Sequence, residues 1–91
     1  MKREDCETLE KVYQEPPPGI PWADIQSLFN AIAIEHNGKC DYSPGSYIIL
    51  CLPKGNGDKD IIRIPYSPTV YRTTINRIEL RLVLAGITQC Q

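Results

Sequence analysis

Basic and aromatic side chains gather in the second half of this 91-residue chain. Arginine and lysine side chains bind phosphate groups, and tyrosine rings stack on nucleobases, so a surface that combines them is typical of RNA-binding proteins. The alternative interpretation is a solvated helix face, with the tyrosines half-buried in the core. The candidate residues are Lys54, Lys59, Arg63, Arg72, Arg77 and Arg81, with Tyr47, Tyr66 and Tyr71 as the aromatic side chains.

The distribution of charge favours this second half over the whole molecule as a phosphate-binding surface. The net charge of the chain is −1, which does not by itself indicate a polyanion-binding protein. Residues 61–91 contain four arginines and one glutamate, a net charge of +3, so residues 1–60 have a net charge of −4. Such an uneven distribution orients a charged partner even when the total charge is small.

Acid–base catalysis would depend on the one histidine, His36. We predict that His36 lies near the end of a helix, where the helix dipole favours a cationic side chain. A role as a general base is the alternative. The sequence shows no serine or cysteine nucleophile with an adjacent base.

The four cysteines are Cys6, Cys40, Cys51 and Cys90. None are spaced as Cys-x-x-Cys and there is a single histidine, so we predict no zinc site, no other metal and no cofactor. The first five residues are mostly charged and no apolar segment reaches transmembrane length, which predicts neither a signal peptide nor a membrane-spanning segment. We therefore expect four reduced thiols in a cytoplasmic protein, with Cys51 as a small apolar residue in a core strand.

Two strands joined by a loop are predicted to form the centre of the fold. Residues 47–52 and 60–64 are apolar runs of strand length that are rich in β-branched side chains. The loop at residues 53–59 contains proline, glycine and asparagine, which favour turns. Both strands are too apolar to be solvated on two faces, so flanking helices must cover one face of the hairpin.

Helices are predicted on both sides of this hairpin. Residues 1–13 form a short helix, and the proline run at residues 16–18 then acts as a stiff spacer or, alternatively, as a ligand for a proline-binding domain. A second helix begins at Pro21 and ends near His36, with Asn37 and Gly38 as a left-handed cap. Its apolar stripe consists of Trp22, Ile25, Leu28, Phe29 and Ile32.

The remaining elements complete a helix, three strands and a helix. Residues 39–43 form a third strand, with Cys40 and Tyr42 on one face. The last helix begins near Tyr71 or Thr73, is capped by Thr73 or Thr74, and ends at Ala85 before Gly86. Its apolar face consists of Ile75, Ile78, Leu82 and Ala85, widened by Val83 and Leu84. We predict an α+β fold, a three-stranded antiparallel sheet with two helices on one face and a short extra N-terminal helix.

Short segments distributed along the chain also match a known pattern in order and spacing. They are residues 20–28 (IPWADIQSL), the pair Gly45-Ser46, residues 63–65 (RIP) and residues 78–87 (IELRLVLAGI). Residues 8–13 (TLEKVY), followed by prolines, match the leader of the same pattern. Together these segments resemble the HicA family of toxins from bacterial toxin–antitoxin systems, specifically its longer variants, over about residues 8–87. The resemblance divides the chain into a leader and spacer at residues 1–19 and a HicA-like domain at residues 20–91.

The resemblance implies a fold like that of double-stranded-RNA-binding domains, RNA as ligand, metal-independent cleavage of messenger RNA, and a HicB-type antitoxin as partner. The family's catalytic histidine follows the Gly-Ser pair, and longer variants have histidines around the proline that ends the third strand. These positions are Tyr47, Arg63 and Tyr66 here, so we expect RNA binding with no catalytic residue and little ribonuclease activity. The expected RNA-binding residues are Ser46, Tyr47, Lys54, Lys59, Arg63, Tyr66, Arg72, Arg77 and Arg81.

Two further hypotheses follow from the sequence. The first is a non-catalytic protein-interaction module in which the sheet face, or the edge strand at residues 39–43, binds an antitoxin-type partner or a second copy of the chain. The second is a weak ribonuclease that uses His36 or a tyrosine.

Overall fold

The computed structural model describes residues 1–54 and 57–90 and confirms the predicted α+β fold. The predicted loop at residues 53–59 therefore lies partly outside the described residues. The elements in chain order are α1 (Arg3–Val12), β1 (Ile20–Pro21), α2 (Trp22–Glu35), β2 (Lys39–Ser43), β3 (Tyr47–Pro53), β4 (Lys59–Pro65), β5 (Thr69–Val70) and α3 (Arg72–Leu84).

The main sheet is an antiparallel meander in the order β2-β3-β4. Ile48 is paired with Ile64 and Leu50 with Ile62, so the apolar side chains of the two strands share one face. A second sheet pairs β1 with β5, matching Ile20 to Val70. The sequence did not predict this pair, because two-residue strands are too short to show an alternating pattern.

All three helices contribute to a single core on one side of the main sheet. Helix α2 packs on β2 and β3, α3 packs on β4, and α1 packs against α2 and α3. Each large apolar side chain in this core stabilises the fold by about 1.5–3 kcal/mol relative to an exposed one. The fully buried side chains include Leu9, Ile25, Phe29, Ile32, Ile48, Leu50, Ile64, Ile75, Ile78 and Leu82.

Both long helices end in the same backbone motif. Asn37 adopts a left-handed conformation with φ 57°, and the N–H of Gly38 donates to the carbonyl of Ala33 at 2.8 Å. Gly86 has φ 78°, and the N–H of Ile87 donates to the carbonyl of Leu82 at 2.8 Å. These Schellman motifs confirm both predicted helix ends.

The predictions for the beginning and the apolar face of α3 were partly wrong. The N-cap is Tyr71, which makes no side-chain capping hydrogen bond, so Thr73 and Thr74 lie inside the first turn. Val83 and Leu84 are 47% and 69% exposed instead of widening the buried face. Residues 75, 78 and 82 already fill the face that meets the sheet, and positions 83 and 84 point away from it because a helix turns about 100° per residue.

Helix α1 is tied to the rest of the molecule by polar contacts as well as apolar ones. The Ser27 hydroxyl donates to the buried carboxylate of Asp5 at 2.6 Å. The Tyr13 hydroxyl donates to the carbonyl of Ile87 at 2.5 Å, which joins the end of α1 to the segment after α3. Burial, and secondarily the charge of Glu79, raise the pKa of Tyr13, so its hydroxyl stays protonated and able to donate.

The expectation of four reduced thiols was wrong. Cys6 in α1 and Cys90 near the C-terminus form a disulfide with their Cα atoms 5.4 Å apart, whereas Cys40 and Cys51 are free. The two bonded cysteines are 84 positions apart, so only the packing of α1 against α3 and the final segment brings them together. Partial burial, and then the charge of Asp41, raise the pKa of the Cys40 thiol to about 11.

Candidate nucleic-acid interface

The face of the main sheet opposite the helices is open. Because side chains alternate between the two faces of a strand, burying Ile48, Leu50 and Leu52 leaves the odd-numbered side chains of β3 on the other side. The register places Ile49 next to Arg63 and Cys51 next to Ile61. This open face therefore combines apolar side chains with a cation.

An arginine–tyrosine stack lies on the open face. The guanidinium carbon of Arg63 lies 5.0 Å from the centre of the Tyr47 ring, within the range of a cation–π interaction. The two residues are on neighbouring strands and two positions out of direct register, since Tyr47 pairs with Pro65. Such diagonal neighbours are within reach of long and aromatic side chains.

Tyr66 and Ser46 lie at the same end of the sheet. The N–H of Tyr66 donates to the carbonyl of Ser46 at 2.9 Å, which extends the β3–β4 pairing by one residue pair. The Tyr66 ring meets the Trp22 ring edge to face, with centroids 5.2 Å apart, yet remains 42% exposed. We call Ser46, Tyr47, Arg63 and Tyr66 the turn-end cluster, because they lie where the β2–β3 turn meets the end of β4.

Two further predicted residues lie on the outer surface of α3. Arg77 and Arg81 are exposed and, together with Arg63, line a groove of about 400 Å³ between β4 and α3. Arg81 forms an ion pair with Asp60 at 3.4 Å, which partly neutralises it. The cationic surface thus extends from the turn-end cluster across the β4 side of the sheet to the middle of α3.

The other predicted residues are not brought to this surface. Lys59 pairs with Pro53 at the far end of the hairpin, six residues from the Tyr47–Pro65 pair, which is about 20 Å at ~3.3 Å per residue. Lys54 follows β3 at that same far end. Arg72 is exposed at the first turn of α3, next to Tyr71, and is not among the residues that line the groove with Arg63.

His36 also lies away from the turn-end cluster. It is the exposed C-cap of α2 and lines a separate cavity of about 320 Å³, together with Lys54 and Asp60, at the far end of the sheet. The Asp60 carboxylate is paired with Arg81. The prediction that His36 lies at a helix end is confirmed, and its position separates it from the arginine–tyrosine stack.

Sequence reasoning missed two charged residues of β2 on the open face, Lys39, which pairs with Cys51, and Asp41. Asp41 is exposed and lies in register with Ile49, which in turn pairs with Arg63, so these three side chains form one row across the sheet. The row spans two strand spacings, about 10 Å. The alternation in residues 39–43 predicted that Asp41 lies on the other face of the strand from Cys40 and Tyr42. Only the register shows that Asp41 and Arg63 share a face of the sheet.

Comparison of the chain with protein-family models, with curated proteins and with solved structures finds no match. Within residues 1–54 and 57–90, no helix is long and apolar enough to cross a membrane. The same described residues contain no group of three or more histidine, cysteine, aspartate or glutamate side chains that could hold a metal ion.

Proposed function

We propose that the protein binds RNA through the turn-end cluster and the neighbouring arginines of α3, as a HicA-like protein without strong ribonuclease activity. The single observation that supports this most is the Arg63–Tyr47 stack on an open sheet face, with the exposed ring of Tyr66 at the same end. An aromatic ring and a guanidinium plane on an open face stack on unpaired bases, at about 1–3 kcal/mol per base. The Tyr66 ring packs on Trp22 of α2, so it would contact RNA at the end of the sheet and not on the open face.

The arginines supply the second part of the proposed interaction. Arg63 and Arg77 line one groove beside the cluster, so a strand with a base stacked on Tyr47 would pass its phosphates close to both. The three positions that the resemblance matches to histidines of the HicA family, Tyr47, Arg63 and Tyr66, all belong to this cluster. That coincidence supports a shared ligand surface.

The same positions argue against efficient cleavage. Cleavage of RNA without a metal needs a group that exchanges a proton near neutral pH, and imidazole is the side chain suited to this. Tyrosine hydroxyls are poor bases at neutral pH, and arginine stays protonated. The proposed activity is therefore binding, with a HicB-like antitoxin as the proposed protein partner.

The experiment is a fluorescence-anisotropy titration of labelled RNA hairpins with single-stranded loops, repeated at several salt concentrations. Replacing Tyr47 or Arg63 by alanine is expected to weaken binding by about 5–100-fold, from the loss of a stacked base or a charged contact. Lys11→Ala, on exposed α1, is the matched control for loss of one positive charge and is expected to change affinity less than about twofold. Equal effects of Arg63→Ala and Lys11→Ala would contradict the proposed surface.

The proposed location is the cytoplasm, where RNA is available as a ligand. Stable disulfides are rare there, so the Cys6–Cys90 bond makes the location testable. Alkylation of thiols in intact cells before lysis is expected to find this pair largely reduced if the protein resides in the cytoplasm. A fully oxidised pair would indicate an oxidising compartment and contradict the proposed location.

A further inference from the structure

The outer edge of β4 presents backbone groups that no strand satisfies. In the described part of the chain, β4 is a terminal strand of the sheet order β2-β3-β4. The N–H of Tyr66 donates to the carbonyl of Ser46, at the end of β3. Every second residue of a strand directs its N–H and C=O groups to the same side, so residues 60, 62 and 64 also direct theirs toward β3. The N–H and C=O groups of Ile61 and Arg63 therefore point outward, and Pro65 ends the row because it has no N–H.

This edge forms one wall of the groove beside α3. Residues 61–64 all line the groove, and the edge of β4 that they form is not paired with a strand among the described residues. The opposite wall consists of Arg77, Leu80 and Arg81 from α3. The groove is about 400 Å³ and is bounded at one end by the Arg81–Asp60 ion pair.

One half of the groove contains exposed apolar side chains and the Arg81–Asp60 ion pair, and the other half contains two further arginines. Because Arg81 contacts Asp60, the C-terminal part of α3 lies beside the beginning of β4 and the two elements run in opposite directions. Ile61 and Leu80, which are 54% and 60% exposed, therefore lie toward one end. Arg63 and Arg77 lie toward the other end.

We propose that this groove binds an extended peptide segment of a partner protein, which adds to β4 as a fourth antiparallel strand. Unpaired strand edges are templates for such β-augmentation, in which backbone hydrogen bonds give affinity and flanking side chains give specificity. An antiparallel strand would pass the arginines first and the apolar side chains second. The preferred segment therefore has two acidic residues followed directly by two β-branched apolar residues.

A peptide fits this groove better than RNA does. A peptide strand supplies N–H and C=O groups at the spacing of Ile61 and Arg63, whereas a nucleic acid has no such alternating row. The exposed Ile61 and Leu80 side chains can pack against apolar side chains of a peptide, but they make no favourable contact with phosphate groups. The inference goes beyond the RNA proposal, because it concerns the backbone edge of β4 and the apolar side chains Ile61 and Leu80, whereas the RNA proposal uses only Arg63 and Arg77 of this groove.

The probe is a labelled, terminally blocked eight-residue peptide with two glutamates followed by two valines between serine and threonine residues. We expect saturable binding below about 1 mM by fluorescence anisotropy. A peptide with the valines before the glutamates is expected to bind at least fivefold more weakly. On binding, the backbone amides of Ile61 and Arg63 are expected to become protected from hydrogen exchange, while those of Ile62 and Ile64 are protected already.

Ile61→Pro removes one outward N–H and is tolerated at a strand edge, because no hydrogen bond to β3 is lost. It is expected to weaken peptide binding at least tenfold, whereas Ile61→Thr keeps the N–H and is expected to weaken it less than threefold. Leu80→Ser, at a 60% exposed position, provides a second variant if Ile61→Pro does not fold. RNA binding measured on the same proteins is expected to stay within twofold of wild type, and Tyr47→Ala is expected to show the reverse pattern.

Three results would overturn the inference. The first is peptide binding that is absent or insensitive to Ile61→Pro and Leu80→Ser. The second is a loss of RNA affinity in these two variants without a loss of peptide affinity, which would assign the groove to RNA. The third is a dimer in light scattering that Ile61→Pro dissociates, which would assign the groove to a second copy of the chain. The first and third results do not depend on whether the protein binds RNA, so they distinguish a failure of this inference from a failure of the RNA proposal.

Discussion

The Cys6–Cys90 disulfide leads to a large and quantitative prediction for stability. The bond joins residues separated by 84 positions, so it closes nearly the whole chain into one loop. A loop of this length removes about 15 cal/mol/K of chain entropy from the unfolded state, which corresponds to about 4.6 kcal/mol at 25 °C. Replacing Cys90 by serine is therefore expected to lower the free energy of unfolding by about 2–5 kcal/mol.

Urea denaturation followed by circular dichroism measures this loss. For a domain of this size, 1 kcal/mol corresponds to about 4–8 °C in Tm, so a thermal melt should shift downward by at least about 8 °C. Cys6→Ser and the double variant with Cys90→Ser are expected to match the single variant, because all three remove the same bond. Cys51→Ser is the control, since this cysteine is free.

A thiol titration with a chromogenic disulfide reagent in denaturant tests the premise separately. Two thiols are expected in the unreduced protein and four after reduction, because Cys40 and Cys51 are free. Four thiols before reduction, or a Cys90→Ser protein as stable as wild type, would refute the assignment of a stabilising cross-link. Effects of Cys6→Ser and Cys90→Ser that add instead of coinciding would show that the two cysteines act separately.

Three further predictions follow from single residues. Asp41→Asn removes a carboxylate from the row that contains Arg63. We expect it to strengthen RNA binding about 1.5–3-fold at low salt in the anisotropy assay, because a negative charge near the cation is lost. Asp58→Asn, outside that row, is the comparison. Because the folded-state pKa of Tyr13 lies above the unfolded value of 10.0, its stabilising contribution is present below pH 10 and is lost as the pH rises through the folded pKa. Wild type is therefore expected to lose stability above pH 10 more steeply than Tyr13→Phe in urea melts, and parallel curves would contradict this. The pKa of Cys40 is about 11, so roughly one thiol in a thousand is ionised at pH 8. Pulse alkylation read by mass spectrometry is expected to modify Cys40 about a hundredfold more slowly in the folded than in the unfolded protein, and equal rates would contradict the burial of the thiol.

Local patterns in the sequence predicted most of the elements. Residues 39–43 were predicted as a strand with the observed bounds, because Ser43-Pro44-Gly45 limits it on one side and Asn37-Gly38 on the other. Gly38 also fits its position, since a Cβ there would overlap the carbonyl oxygen of Cys51. Gly86 and Ile87 likewise predicted the end of α3. In each case residues that are neighbours along the chain determine the conformation, so their identities are sufficient.

The candidate site was predicted only in part. Arg63, Tyr47, Tyr66 and Ser46 were among the expected RNA-binding residues. The structure places these four at one end of the sheet, with Arg63 stacked on Tyr47 and the Tyr66 ring against Trp22. It leaves Lys54 and Lys59 at the opposite end of the hairpin, since a seven-residue strand separates its two ends by about 20 Å. Residue type and, for Ser46, the family resemblance selected these positions, and strand register decided which of them lie at the same end of the sheet.

The sequence by itself determined the two long helices, the three-stranded meander and the basic character of residues 61–91, because periodicity, turn residues and charge are properties of neighbouring positions. Only the tertiary structure decided that Cys6 meets Cys90, that Arg63 stacks on Tyr47, and that β4 and α3 enclose a groove. These contacts join residues far apart in the chain. Their geometry depends on the packing of whole helices against the sheet, and no short sequence pattern records that packing.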